Sequence, residues 1–182
     1  MPHIGPDVTL DQPAFIHDSA GLYGKVYLGP GSSIWPNVVM RAEMFEIHIG
    51  ARSNIQDFVM IHVGHNTPTI VGEDCSITHH VTLHGCELGD RCLIGINALV
   101  MDGVKIGANS IVAGNTVIRE GAEFPENSII AGVPGKLVGH RDSGKANLFN
   151  AKFYYQNALN YSQGIERMQP AQLEALLAER SA

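Results

Sequence analysis

The sequence has few cysteines, few charges and no long apolar run. Its three cysteines, Cys75, Cys86 and Cys92, are an odd number without CxxC spacing, so they indicate neither a disulfide framework nor a zinc ribbon. Charged residues make up 16% of the chain, and a net charge of −6 with scattered Lys and Arg argues against nucleic-acid binding. Nowhere do about 18 apolar residues follow one another, and the N-terminus has no leader-like pattern. We therefore predict no membrane span and a cytoplasmic location.

What the sequence has instead is a six-residue repeat. With short insertions and one deletion, an apolar residue returns at every sixth position: Ile16, Leu22, Leu28, Ile34, Met40, Ile49, Ile55, Ile61, Val71, Ile77, Leu83, Leu88, Ile94, Val100, Ile106, Val112, Ile118, Phe124 and Ile130. This period fits neither an α-helix nor a hairpin meander, whereas a solenoid with three short strands in each coil repeats in this way. We predict a mainly β solenoid of about six coils, with these residues stacked inside.

The composition changes beyond Arg141. Apolar residues recur with helical spacing over residues 145–163, and again after Pro170. We predict two helices that cover the solenoid, because an open coil end exposes unpaired strand edges. The chain is thus expected to consist of a β-helix with the functional site at residues 1–140 and a helical segment at residues 141–182.

Three of the nine histidines occupy special positions in the repeat. His62 and His84 each directly follow a stacked aliphatic residue three hexads apart, so they occupy equivalent places on successive coils. His79 lies on the neighbouring face and should point away from this pair within one chain. Three imidazoles with an open position for water form the usual catalytic zinc site. We predict such a site from His62 and His84 of one chain and His79 of a neighbour related by three-fold symmetry.

These features resemble the γ-class carbonic anhydrases over roughly residues 10–140. The resemblance is carried by the order and spacing of Arg41-Ala42-Glu43, Asn54-Ile55-Gln56-Asp57, His62, His79 and His84. It implies a left-handed parallel β-helix of hexapeptide repeats with a C-terminal α-helix. It also implies a homotrimer with metal sites at the subunit interfaces, and His62, His79 and His84 as zinc ligands.

The resemblance implies roles for four further residues. Gln56 would orient the metal-bound water, Arg41 and Asp57 would form an ion pair near the subunit boundary, and Tyr161 would lie near the metal. The chain departs from the family at Glu43, where Asp is usual. It also has a short loop at residues 63–69 without the proton-relaying glutamates of the archaeal branch.

The function that the resemblance implies is the reversible hydration of carbon dioxide to bicarbonate. Zinc would lower the pKa of its bound water to about 7, far below that of bulk water, and the resulting hydroxide would attack carbon dioxide. Fe²⁺ or Co²⁺ are alternative metals, since both accept imidazole. Three other functions share these features: a hexapeptide-repeat acyltransferase, a zinc-dependent thioesterase, and a non-catalytic assembly or accessory protein. Analogy of fold does not choose among them.

Overall fold

The computed structural model describes residues 1–181, with side chains described through residue 179. Most strands are two or three residues long, and two are much longer. The elements in chain order are β1 His3–Ile4, β2 Thr9–Leu10, β3 Phe15–Ile16, β4 Gly21–Leu28, β5 Ser33–Ile34, β6 Val39–Ile49, β7 Asn54–Ile55, β8 Met60–His62, β9 Thr69–Val71, β10 Ser76–Ile77, β11 Thr82–His84, β12 Glu87–Leu88, β13 Leu93–Ile94, β14 Leu99–Val100, β15 Lys105–Ile106, β16 Ile111–Val112, β17 Val117–Ile118, β18 Glu123–Phe124, β19 Ser128–Ala131, β20 Lys136–His140, α1 Gly144–Tyr161 and α2 Pro170–Ser181.

The strands wind into a left-handed parallel β-helix with three flat faces. Face A contains β1, β8, β11, β14 and β17, and face B contains β2, β9, β12, β15 and β18; the long strands β4 and β6 bend from face A onto face B. Face C contains β3, β5, β7, β10, β13, β16 and β19, with the antiparallel strand β20 at its end. The predicted fold class is confirmed.

The interior is formed mainly by the apolar residues that recur every six positions. All of these are at most 2% exposed except Ile16 and Phe124, which are half-buried. Smaller residues two positions before some of them, such as Val59, are also buried there. They stack in register along each face, as Ile77 does between Ile55 and Ile94. Because every backbone hydrogen bond of a strand runs to the coil above or below, one buried residue per strand determines the register of the whole coil.

The predicted number of coils was one too few. Ile4 and Leu10 continue the same six-residue phase backward from Ile16, and they pair with Leu22 and Leu28 of β4. The solenoid therefore begins in β1 and has about seven coils.

The corner between face C and face A is built from residues with left-handed backbone conformation. Their φ values lie between +58° and +61° at Asn37, Phe58, His80, Asn97 and Asn115. Asn37 donates its N–H to Ser19 Oγ at 2.8 Å. The other four donate their N–H to a carbonyl one coil earlier, as His80 does to Asp57 O at 3.1 Å and Asn97 to His79 O at 3.0 Å. This bonding stacks Asp57 and His79 on successive coils.

Helix α1 lies along face C, where it contacts β3, β5, β7 and β10. A helix that packs on the solenoid was predicted, but as a cover for an open coil end, whereas α1 contacts strands along one face. Its large apolar residues are only half-buried. The buried members are instead small or polar: Gly144, Asn147, Ala151, Ala158 and Asn160. Asn147 Nδ2 donates to Arg91 O at 2.8 Å and to Ser110 O at 3.2 Å, which ties the helix to two coils.

Helix α2, also predicted, packs against α1. Asn160 Nδ2 of α1 donates to Gln172 Oε1 of α2 at 3.0 Å. Over residues 1–181, no helix is long and apolar enough to cross a membrane. The division of the chain into two segments at residue 140 stays a prediction.

Candidate metal centre

The predicted histidine pair forms on face A. His62 ends β8 and His84 ends β11, and the two residues are direct partners in the strand ladder. Because the preceding Ile61 and Leu83 point into the core, both imidazoles point outward. His62 Nδ1 lies 3.0 Å from His84 Nε2, with ring centroids 4.9 Å apart. We call these two residues the histidine pair.

A carboxylate contacts the outer nitrogen of each ring. Glu43 Oε2 lies 2.9 Å from His62 Nε2, and Asp102 Oδ1 contacts His84 Nδ1. An ionised carboxylate only accepts hydrogen bonds, so both outer nitrogens must carry the N–H. In neutral imidazoles the inner nitrogens, His62 Nδ1 and His84 Nε2, then have lone pairs that face each other without a proton between them.

This arrangement fits a bound cation. The two carboxylates and the two imidazoles form a chain with three contacts. Two neutral imidazoles supply only two N–H donors, and both of these bond the carboxylates, so no N–H is left for the contact between the rings. Burial and then the positive charge of Arg41 lower the pKa of His62, which disfavours a further proton on that ring. Two unprotonated imidazole nitrogens about 3 Å apart are the donor set that Zn²⁺ and related divalent metals bind.

The third predicted ligand lies elsewhere on the chain. His79 sits at the corner between faces C and A, where its Nδ1 lies 3.1 Å from Asp57 Oδ2. We call Asp57 and His79 the corner cluster. Next to it, the rings of Phe58 and His80 stack at 4.9 Å. Across residues 1–181, no single group of three or more His, Cys, Asp or Glu side chains is arranged to hold a metal.

Gln56 and Tyr161 lie on the face C side with the corner cluster. Gln56 is 2% exposed, and its Nε2 donates to Asn54 Oδ1 at 2.9 Å. Tyr161 packs edge-on against Phe15 and Trp35, with centroids 5.7 and 5.0 Å apart. Within this chain, Tyr161 therefore has the contacts of a packing residue.

The Arg41–Asp57 ion pair is not formed within the chain. Arg41, on face A beside His62, pairs with Glu43 instead. Asp57 pairs with His79 across the corner. The longer side chain of Glu43 reaches both Arg41 and His62, so this departure from the family pattern provides two contacts on face A.

Sequence reasoning missed two residues beside these clusters. Tyr154 of α1 packs edge-on against Trp35, and burial and then the negative charge of Asp57 raise its pKa. Asp102 contacts His84, and the repeat did contain a signal for it. Val100 is the core residue one coil beyond Leu83, so the register places residues 101–103 next to residues 84–86. For Tyr154 the sequence contained no signal, because Tyr155 and Tyr161 belong to the same predicted helix and nothing in its spacing distinguishes Tyr154 from them.

Comparison with known sequences and structures agrees with this architecture. The sequence pattern of the family "Bacterial transferase hexapeptide (six repeats)" matches residues 85–120. A solved structure from Bacillus cereus, titled a putative acetyltransferase, is 27% identical with a TM-score of 0.78, and the alignment covers 89% of this chain and 92% of that one. These matches define the protein as a hexapeptide-repeat β-helix.

Some of the similar proteins are named as carbonic anhydrases, which indicates a particular family of hexapeptide-repeat proteins. A probable carbonic anhydrase of Methanocaldococcus jannaschii is 45% identical over 146 residues, which cover 80% of this chain and 89% of the archaeal protein. Gamma carbonic anhydrase 1, mitochondrial, of Arabidopsis thaliana is 37% identical over 99 residues, or 51% of this chain and 36% of the plant protein. The chain also spans 56% of the length of Protein YrdA of Escherichia coli, at 39% identity. The chain belongs to the γ-class carbonic anhydrase family.

Proposed function

We propose that this protein is a homotrimer that catalyses the reversible hydration of carbon dioxide at a bound divalent metal. We expect this metal to be zinc. The observation that carries the proposal is the histidine pair, whose inner nitrogens face each other at 3.0 Å while carboxylates hold both outer nitrogens. His62 and His84 would be two ligands. The partner subunit's His79 would be the third.

The separation of the two clusters supports a shared site. The histidine pair lies on face A, whereas the corner cluster lies at the edge between faces C and A, so three-fold rotation can bring one against the other. Exposed apolar side chains flank both. Phe58 and Ile96, each 53% exposed, lie by the corner cluster, and Met44, 70% exposed, follows Glu43. Exposed apolar surface of this kind is typical of a subunit contact.

When bound, the metal supplies Lewis acidity that makes water a nucleophile near neutral pH. The protein's own residues would position the reactants. Gln56 has its Nε2 committed to Asn54, so its carbonyl oxygen is available to accept a hydrogen bond. In the trimer, Arg41 and Asp57 would meet across the interface, each exchanging its present partner. Tyr154, close to Asp57, is a better candidate than Tyr161 for a tyrosine beside the site.

Metal content and carbon dioxide hydration, measured on the same purified sample, test the proposal. Light scattering should give a trimer, with about one metal per subunit because a cyclic trimer has one such interface per chain. His62→Ala, His84→Ala and His79→Ala should each lose metal and activity together. His140→Ala, an exposed change on β20, is the matched control. A wild-type trimer that binds no divalent metal would refute the proposed function.

An acyltransferase is the second candidate, favoured by the solved structure titled a putative acetyltransferase. It shares the solenoid and the trimer and would use a histidine as general base, but it needs no three-histidine metal set. Binding of coenzyme A by metal-free protein would favour this function. Stoichiometric zinc that is required for activity would count against it. The cytoplasmic location stays a prediction.

A further inference from the structure

Asp102 occupies a corner that is shaped around its side chain. It follows β14 at the turn between faces A and B, one coil beyond His84. A Cβ on Gly85 or Gly64 would first meet Thr67 Oγ1, at 2.4 and 2.2 Å respectively. It would then meet Asp102, at 2.8 Å from Oδ1 for Gly85 and 3.1 Å from Cγ for Gly64. The two glycines therefore leave room for the carboxylate to reach His84.

The backbone at this corner also holds Asp102 in place. Gly103 has φ +69° and donates its N–H to Gly85 O at 2.8 Å, while Gly121 N donates to Asp102 O at 2.8 Å. The Asp102 peptide is thus bonded to the coils on both sides. Glu43, by comparison, extends from a long strand, is 45% exposed and divides its oxygens between His62 and Arg41. Of the two carboxylates, Asp102 is the more firmly placed.

We propose that Asp102 is a positioning residue for the metal centre: it holds His84 with the proton on Nδ1, so that the Nε2 lone pair faces His62. This inference rests on the proposed function, since a lone pair directed into the gap serves a metal ligand. A carboxylate bonded to the far nitrogen of a metal-binding histidine orients the ring and raises its basicity. Without Asp102, the imidazole is free to place its proton on Nε2, which blocks coordination there.

A purely structural role for Asp102 predicts something different. An ion pair with His84 that only closed the corner would change stability when removed, without a specific effect on which ring nitrogen carries the proton. The tautomer of His84 separates these two roles. It can be read in the metal-free protein, so the reading does not require that metal binding or catalysis be established first.

The first measurement is the ¹⁵N spectrum of histidine-labelled, metal-free protein at a pH where His84 is neutral. Wild type should show His84 with the proton on Nδ1. Asp102→Ala should shift the population toward Nε2–H, and Asp102→Asn should shift it less, because its amide oxygen can still accept. Asp18→Asn removes an exposed carboxylate whose one ion pair, with the N-terminus, is 3.7 Å long, and it should leave the His84 signals unchanged.

The second measurement is zinc affinity by competition with a chelator at fixed pH. Asp102→Ala should weaken binding by about 10–100-fold, with Asp102→Asn between it and wild type. Asp18→Asn should bind as wild type does. Circular dichroism and the trimer mass show whether each variant is folded, and if Asp102→Ala is not, Asp102→Asn carries the test.

The outcomes distinguish the two proposals. If wild type binds no metal but Asp102 still controls the His84 tautomer, the proposed function fails and the positioning contact stands. If wild type binds zinc but the Asp102 variants keep the Nδ1–H tautomer and bind within about threefold of wild type, the positioning role is overturned while the metal site survives.

Discussion

A metal site shared between subunits can be tested by rebuilding it from two defective chains. His62→Ala removes a member of the histidine pair on face A, and His79→Ala removes the corner ligand. Each variant alone should form trimers that have lost metal at every interface, because two imidazoles from the intended three remain. In a trimer that contains both variants, one interface joins an intact histidine pair to an intact His79.

The size of the recovery follows from cyclic symmetry. A mixed trimer contains the two variants in a ratio of two to one or one to two. In either case, a single interface joins face A of a His79→Ala chain to the corner of a His62→Ala chain. Each mixed trimer should therefore bind about one zinc, and random assembly in equal amounts should restore about one interface in four. A site contained within one chain predicts no recovery in any mixture.

Native mass spectrometry of co-expressed chains with two different tags resolves each trimer composition and counts its metals. A matched control mixes wild type with a chain that carries both substitutions. Trimers with two wild-type chains should then hold about one zinc if the site is shared and about two if it lies within a chain. Mixed trimers of the single variants that bind no zinc would refute the shared arrangement and leave the fold assignment unaffected.

Three further predictions concern the core, the proton step and the helix. Ile94→Ala should lower the free energy of unfolding by about 2–5 kcal/mol in denaturant at fixed trimer concentration, because Ile94 is fully buried in the stack. Asn97→Gly, at an exposed corner with φ +60°, should cost much less, and equal losses would show that the stack is not the source of stability. The carbon dioxide hydration rate should rise with buffer concentration, because loop 63–69 has no carboxylate; a rate independent of buffer and lost in His65→Ala would identify a relay instead. Asn147→Ala should destabilise the protein by about 1–3 kcal/mol, since Arg91 O loses the Asn147 donor and Ser110 O keeps only the N–H of Leu93; unchanged stability would mean that α1 is held by other contacts.

The main stack of the interior could be predicted from the sequence, although the smaller buried residues between the hexad positions, such as Val59 and Val81, could not. The reason is that coils of a parallel β-helix bond only to their neighbours, so a six-residue phase allows one stacking register. The same register predicted that His62 and His84 would be direct ladder partners, and they are. The same register extends to Ile4 and Leu10, which pair with Leu22 and Leu28 but are exposed at the first coil.

Only the tertiary structure shows which side chains meet at the corners and on the outer surface of the solenoid. At these positions the six-residue period does not specify which way a side chain turns or how far it reaches. Within the chain Arg41 contacts Glu43, whose side chain is long enough to bridge Arg41 and His62 on face A. Asp102 meets His84 because two glycines leave the space for it.

The docking of α1 shows the same limit of sequence-based prediction, here for residues that are far apart in the chain. Its apolar residues predicted where α1 would form, but Asn147 and small residues determine how it lies on face C. That docking places Tyr154 where burial and then the negative charge of Asp57 raise its pKa. An electrostatic interaction between residues almost a hundred positions apart depends on the shape of the completed solenoid, whereas the hexad pattern describes only neighbouring coils.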